Sequence, residues 1–274
     1  NIVKFHSLSE HRTEPVCEHF GVCGGCKWQH MSYEAQLLFK QKEVSENLKR
    51  IGGLELPELK PILPVENPYW YRNKMEFSFS NQRWLTKEEV DSGAEFNRNA
   101  LGFHKPGMWD KIVDVSTCHL QADPSNAIRN FIRSYAHKNK VAFFDPKNKT
   151  GFLRSLMIRT TSTEEVMIVL QVFHKEDTIL FPLLDAVAQE FPDLTSLQYV
   201  INGKANDTLY DQEIVCYKGQ DYITEVMEAL QFKIMAKSFY QTNSLQAYEL
   251  YKVVRVLADL QGDELVYDLY TGTG

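Results

Sequence analysis

The sequence predicts an α+β domain with a mainly antiparallel sheet, preceded by a cysteine-rich metal loop and followed by the start of an α/β domain. Three observations carry this reading. Cys17, Cys23 and Cys26 fall within a few residues of one another; strand-like runs recur between residues 74 and 235 around two amphipathic segments; and the last residues change to a helix, an apolar run and the turn Thr271-Gly272-Thr273-Gly274. The 274 residues, 43% hydrophobic and 24% charged, are enough for two domains. No stretch approaches roughly eighteen uninterrupted apolar residues, which argues against a membrane span and leaves the cytoplasm as the default location. The chain opens Asn1-Ile2-Val3 with neither methionine nor an apolar targeting segment, so a piece of a longer protein is expected.

The first element is the run Cys17-Glu18-His19-Phe20-Gly21-Val22-Cys23-Gly24-Gly25-Cys26. Thiolates this close can reach one metal centre, and the glycines let the backbone curl around it. A fourth ligand is expected from Cys118 in Ser116-Thr117-Cys118-His119, with Cys216 in reserve. Iron-sulfur clusters take four thiolates, one often distant in sequence. Zinc is the rival metal, although its structural sites more often show paired CxxC units. A disulfide suits neither the odd count of five cysteines nor the lack of a signal peptide.

Ser32 then caps a helix to about residue 51, with Leu37, Val44, Leu48 and Ile51 on one stripe and Gly52-Gly53 as its stop. Pro57, Pro61, Pro64 and Pro68 punctuate a linker. Strands are expected at 74–80, 100–104, 111–115, 152–160 and 166–173, with Met75, Phe77 and Phe79 on one buried face. Asp123-Pro124 opens a helix with Ile128, Phe131, Ile132 and Tyr135 inward, and another amphipathic segment covers 178–191. Strands resume at 197–202, 213–217, 221–226 and 230–235. Asn243 and Gln246 form a capping pair for a helix to about 260, with Leu245, Tyr248, Tyr251, Val254 and Leu257 available for its buried side. The strand Leu265–Tyr270 then runs into the glycine turn, as where an α/β domain opens a nucleotide pocket.

Net charge is −6, but the charge is unevenly spread. Residues 60–159 hold 16 basic against 10 acidic side chains, whereas residues 160–274 hold 7 against 18. A basic segment carrying Trp70, Tyr71, Phe77, Phe79, Trp84, Phe103 and Trp109 suits RNA, which is held by phosphate contacts and by stacking of unpaired bases. Arg72, Lys74, Arg154 and Arg159 are the charges expected to meet phosphate, against the alternative of local pairing with carboxylates.

Several blocks together resemble one family. They are Cys17 to Cys26 with Lys27-Trp28-Gln29-His30, then Tyr71-Arg72-Asn73-Lys74, Leu101-Gly102-Phe103-His104, Ser238-Phe239-Tyr240-Gln241-Thr242-Asn243, and Asp268-Leu269-Tyr270-Thr271-Gly272-Thr273-Gly274. Over nearly the whole chain the sequence resembles the S-adenosylmethionine-dependent RNA uracil-C5 methyltransferases, in particular their iron-sulfur rRNA branch. The resemblance implies a [4Fe-4S] cluster on Cys17, Cys23, Cys26 and Cys118, and S-adenosylmethionine contacts from Gln241 and Tyr270. It divides the chain into the tail of an RNA-binding β-barrel (1–16), a cluster loop (17–31), a helix packing on the methyltransferase domain (32–56), a central RNA-binding domain (57–236) and the start of a class I, Rossmann-like methyltransferase domain (237–274).

In this family a cysteine thiolate adds to C6 of uracil, C5 attacks the methyl group, and a carboxylate removes the C5 proton. Both catalytic groups are expected beyond Gly274, so no residue here is assigned to either, and this chain alone is expected to be inactive. Cys216 reads as a sheet residue. Thr271 departs from the Cys that many relatives carry there. The cysteines point to large-subunit rRNA as substrate, with tRNA as the other RNA; a monomer is expected. Two other readings stand beside this one: a zinc-containing RNA-binding module, and an iron-sulfur oxidoreductase whose glycine turn begins a dinucleotide fold.

Overall fold

The run Val166–Val172 is buried at every position, and the architecture follows from what covers both of its faces. The structure is a computed structural model that describes residues 3–273, in two compact units divided after Pro68. The second unit holds a seven-stranded sheet. Its strands are β1 (Lys74–Ser80), β2 (Ala100–Lys105), β3 (Met108–Asp114), β4 (Leu153–Thr160), β5 (Val166–Val172), β6 (Ser196–Ile201) and β7 (Ile214–Gly219). They lie in the order β3-β2-β1-β4-β5-β6-β7. Every neighbouring pair is antiparallel except β5 and β6, which run parallel. A parallel pair needs a crossover, and the helix between these two strands, α4 (Asp177–Glu190), provides it.

Alternation along the strands sends side chains to two cores. On one face Met157, Met167, Val169 and Val200 pack with Ile223, Ile234 and Ala236 of a hairpin, β8 (Tyr222–Met227) and β9 (Leu230–Met235). On the other, Phe77, Leu156, Ile158, Ile168 and Leu170 are all buried, each at 1% exposure or less. Helix α3 (Ser125–Lys138) reaches this face through Arg129, whose guanidinium lies 5.0 Å from the Phe77 ring, and α4 reaches it through Phe181 against Tyr199. Gly219 ends β7 at φ +83°, where a Cβ would fall 2.1 Å from the Thr195 carbonyl oxygen, so the turn into β8 requires glycine.

The first unit contains helix α1 (Tyr33–Glu46), continued by a π-helical turn at Asn47–Ile51. The Ser32 hydroxyl accepts the Ala35 N–H at 3.3 Å. Gln41 holds the following segment, donating to the Lys60 carbonyl and accepting the Ile62 N–H. Tyr33 Oη accepts the Val65 N–H at 2.8 Å.

All nine expected strands before residue 236 are present, with their ends shifted by up to three residues, and the sheet is mainly antiparallel as expected. Helix α2 (Lys87–Asp91) is unanticipated; Thr86 and Glu89 form its capping box, a signal present in the sequence. Three expectations need correction. Residues 265–270 form no strand: no ladder partner flanks them among the described residues, and Leu265, Tyr267 and Leu269 are 75–79% exposed. The apolar side of α5 (Ser244–Ala258) is not buried, with Leu245, Val254 and Leu257 exposed and Ala247 the buried position. The α1 stripe is likewise open at Val44 and Ile51. Residues 237–273 belong to the same compact unit as the central sheet. Asn1, Ile2 and Gly274 lie outside the described residues. Among these residues no helix is long and apolar enough to cross a membrane.

Candidate cofactor and RNA sites

The segment before α5 carries one of the blocks singled out in the sequence, and β1 begins with another. Asn73 joins them. Its N–H donates to the Thr242 carbonyl at 2.8 Å, and its Nδ2 donates to both the Gln241 carbonyl and Ser244 Oγ at 2.8 Å. Its own carbonyl accepts the Thr160 N–H from the end of β4. Arg159 on β4 secures the same segment from behind by donating to the Ala236 and Ser238 carbonyls. Asn243 Oδ1 accepts the Gln246 N–H at 3.0 Å and so starts α5, the capping anticipated from the sequence.

This bracing sets out a cavity of about 420 Å³. Phe239, Tyr240 and Gln241 from the braced segment face Asp268, Tyr270 and Thr271–Thr273, with Met227, Leu230 and Phe232 of the hairpin and Tyr248 and Tyr251 of α5 completing the lining. Gln241 and Tyr270, the two expected cofactor contacts, therefore line one cavity. Tyr270 holds a left-handed backbone, φ +76°, and is fully exposed. Burial pushes the Tyr240 phenol up to about 12, with Glu225 adding to it. Ser244, whose hydroxyl also bonds Glu225 and Asn73, pulls the other way, and among the described residues no group lies within hydrogen-bonding geometry of the buried Tyr240 Oη. At the far side Glu228 is saturated by Arg255 and Tyr248 Oη. Aromatic walls, a side-chain amide, a carboxylate and an orphaned buried hydroxyl fit a nucleoside-bearing ligand such as S-adenosylmethionine.

The expected phosphate contacts divide in two. Arg154 and Arg159 are corrected to structural residues, 3% and 4% exposed. Arg154 donates to the Asn202, Lys204 and Asn206 carbonyls and to Asp207, and it lies 4.5 Å from the Phe144 ring. Burial lowers both guanidinium pKa values. A burial-free sequence pattern cannot separate such arginines from surface ones. Lys74 pairs with Glu76 at 3.0 Å, and Arg72 donates from Nε to the Lys74 carbonyl. Among the aromatics, Phe77 and Phe79 are core, whereas Trp70 is 41% and Trp109 66% exposed.

In the cysteine loop the Gly25 N–H points at Cys23 Sγ at 3.4 Å, and the Cys17 N–H is held by Gln29 Oε1. N–H donors to sulfur suit thiolate ligands. Cys118 is buried, its N–H bound to Asn126 Oδ1 at 2.8 Å. Burial pushes the neighbouring Arg129 guanidinium down to about 10, and the proximity of Cys118 opposes that shift. The donor chemistry thus fits an iron-sulfur group. Its geometry is not assembled: among the described residues no three His, Cys, Asp or Glu side chains converge on a metal position. Cys216 sits on β7 and donates weakly to the Lys218 and Gly219 carbonyls. Desolvation and Asp221 raise its pKa, which leaves it a poor nucleophile.

No protein-family model matches the sequence. A Porphyromonas gingivalis protein named an uncharacterized RNA methyltransferase is 54% identical over all of this chain and 60% of its own length. A Bacteroides thetaiotaomicron protein of the same name is 51% identical over 99% of this chain and 61% of its own. The fold matches the Pyrococcus abyssi tRNA (uracil-54, C5)-methyltransferase, solved in complex with S-adenosyl-L-homocysteine, with a TM-score of 0.66 and 27% identity. That match covers 93% of this chain and 53% of the other. The chain is similar over its length to proteins named RNA methyltransferases, in keeping with the resemblance to the uracil-C5 methyltransferases carried by its motifs. It spans about 60% of the length of the curated relatives it matches.

Proposed function

We propose that this chain is the RNA-holding and cofactor-facing part of an S-adenosylmethionine-dependent RNA uracil-C5 methyltransferase. The observation that carries the reading is the single cavity lined by Gln241 and Tyr270, which come from two separate motifs. S-adenosylmethionine would supply the electrophilic methyl group. Gln241 is positioned because its carbonyl is pinned by Asn73, leaving the side-chain amide to donate and accept hydrogen bonds. Phe239, Tyr240 and Tyr270 offer aromatic surface, and Asp268 adds an acceptor. The cysteine that adds to C6 and the carboxylate that removes the C5 proton are assigned to no residue of this chain, which by itself is inactive in this reading.

A [4Fe-4S] cluster on Cys17, Cys23 and Cys26, with Cys118 as fourth ligand by the family resemblance, belongs to the same proposal as a structural group. The cysteine loop favours large-subunit rRNA as substrate. The structural neighbour, which is a tRNA enzyme, favours tRNA as the second reading. The relatives' names support a methyltransferase over either the zinc module or the oxidoreductase. In the full-length protein, Gln241→Ala is expected to weaken S-adenosylhomocysteine binding measured by calorimetry while leaving iron content unchanged. Unaltered affinity would remove Gln241 from the cofactor site.

A further inference from the structure

A second cavity, of about 500 Å³, opens on the other side of Asn73 and is used by nothing described so far. Its lining includes Trp70, Arg72, Asn73, Ser162, Glu225 and Ser244. Trp70 holds a left-handed backbone, φ +59°, that is costly for a bulky residue. The conformation is kept in place by its N–H to the His119 carbonyl at 2.9 Å and by ring contact with His119 at 5.0 Å. The result is an indole fixed on one side and 41% exposed. Arg72 is strapped in the same way, its N–H donating to the Leu120 carbonyl at 2.8 Å.

Glu225 is the unusual member. It is 1% exposed, and among the described residues its hydrogen-bond partners are Ser162, Val226 and Ser244, none of them cationic. Oε1 accepts from the Ser162 N–H and hydroxyl, while Oε2 accepts from Ser244 Oγ at 3.0 Å and keeps acceptor capacity. With Asp123 and Glu164 also in the lining, carboxylates outnumber cations, Arg72 being the cation among the lining residues. Such a cavity repels an anion from its interior and suits a flat, neutral group with N–H donors on its edge, its attached phosphate left to Arg72.

We propose that this cavity is an RNA subsite, separate from the cofactor cavity, which takes one unpaired nucleotide bearing an exocyclic amino group, stacked on Trp70. It rests on the RNA methyltransferase reading and extends it. Asn73 Nδ2 bridges the Gln241 carbonyl and Ser244 Oγ, so the two cavities share one hydrogen-bonded wall. RNA seated in the second cavity therefore bears on the segment that carries Gln241.

The test titrates the chain with fluorescein-labelled single-stranded RNA hexamers made of adenosine, cytidine or uridine, read by anisotropy. Adenosine and cytidine hexamers should bind several-fold more tightly than the uridine hexamer. Trp70→Ala should weaken the adenosine hexamer about tenfold, in line with the loss of one stacked base. Arg72→Gln should weaken it and flatten the salt dependence by about one unit. Tyr210→Ala, at an exposed ring outside this cavity, should bind as the original chain does. Photocrosslinking with 8-azidoadenosine in the hexamer, which needs no variant to fold, should label the peptide containing residues 70–73. Equal affinity for all three hexamers, unchanged binding by both variants, or labelling confined to other peptides would overturn the subsite. In the full-length protein the two readings separate: absence of any RNA methylation refutes the methyltransferase, whereas methylation with an unchanged RNA KM in both variants refutes the subsite alone.

Discussion

Asp145 shows how a single carboxylate fixes a turn. Its pKa is held down to about 2, first by the Asn148 N–H, then by the side-chain amides of Asn81 and Asn148 and the Lys147 N–H. Because the folded pKa lies below the unfolded value of about 4, the stabilisation is full above that pH and is lost as pH falls through 2. Asp145→Asn should cost on the order of 1–2 kcal/mol at pH 7 and flatten the dependence of stability on pH between about 4 and 2, measured by urea unfolding. Arg154 makes the same point with opposite charge. Its guanidinium satisfies three carbonyls of the 202–206 loop, so Arg154→Ala should cost about 3–5 kcal/mol. That loss should be nearly independent of salt, unlike the removal of a phosphate contact. The sequence made this arginine look like an RNA contact because basic charge is legible in one dimension and burial is not.

At the scale of elements, the strands were legible because their side chains alternate and because β-branched and apolar residues cluster between turn residues, as in Lys74–Ser80 and Leu230–Met235. What was not legible was covering. Leu265–Tyr270 has the composition of a buried strand but no ladder partner among the described residues, and α5 carries an apolar side that nothing there covers. The bracing by Asn73 was equally hidden, since its partners lie about 170 positions away. Its importance is testable in the full-length protein. Asn73→Asp keeps the shape but removes the donor, leaving a carboxylate opposite the Gln241 carbonyl and Ser244 Oγ. Cofactor affinity should fall about tenfold, an effect of one to two hydrogen bonds, with little change in the unfolding midpoint of the sheet. A large loss of stability at unchanged affinity would make Asn73 a residue of the fold alone.

For the whole molecule, the motifs carried the resemblance to a family and the expectation of two cofactor contacts, and the structure places both of those residues on one cavity. For the cluster, thiol spacing announces a metal, and among the described residues no three ligands converge on it. Protein purified without oxygen should be brown with about four irons, and Cys118→Ser should lower the iron content. A colourless protein with stoichiometric zinc would replace the iron-sulfur reading by the zinc one. The central claim concerns chemistry at C5 of uracil. The most direct measurement gives the full-length protein S-adenosylmethionine and RNA labelled with tritium at uracil C5, and follows tritium released to water alongside methyl incorporation. One tritium should be released for each methyl group transferred. Methyl incorporation without tritium release would contradict it, because the methyl group would then have gone to another atom of the RNA.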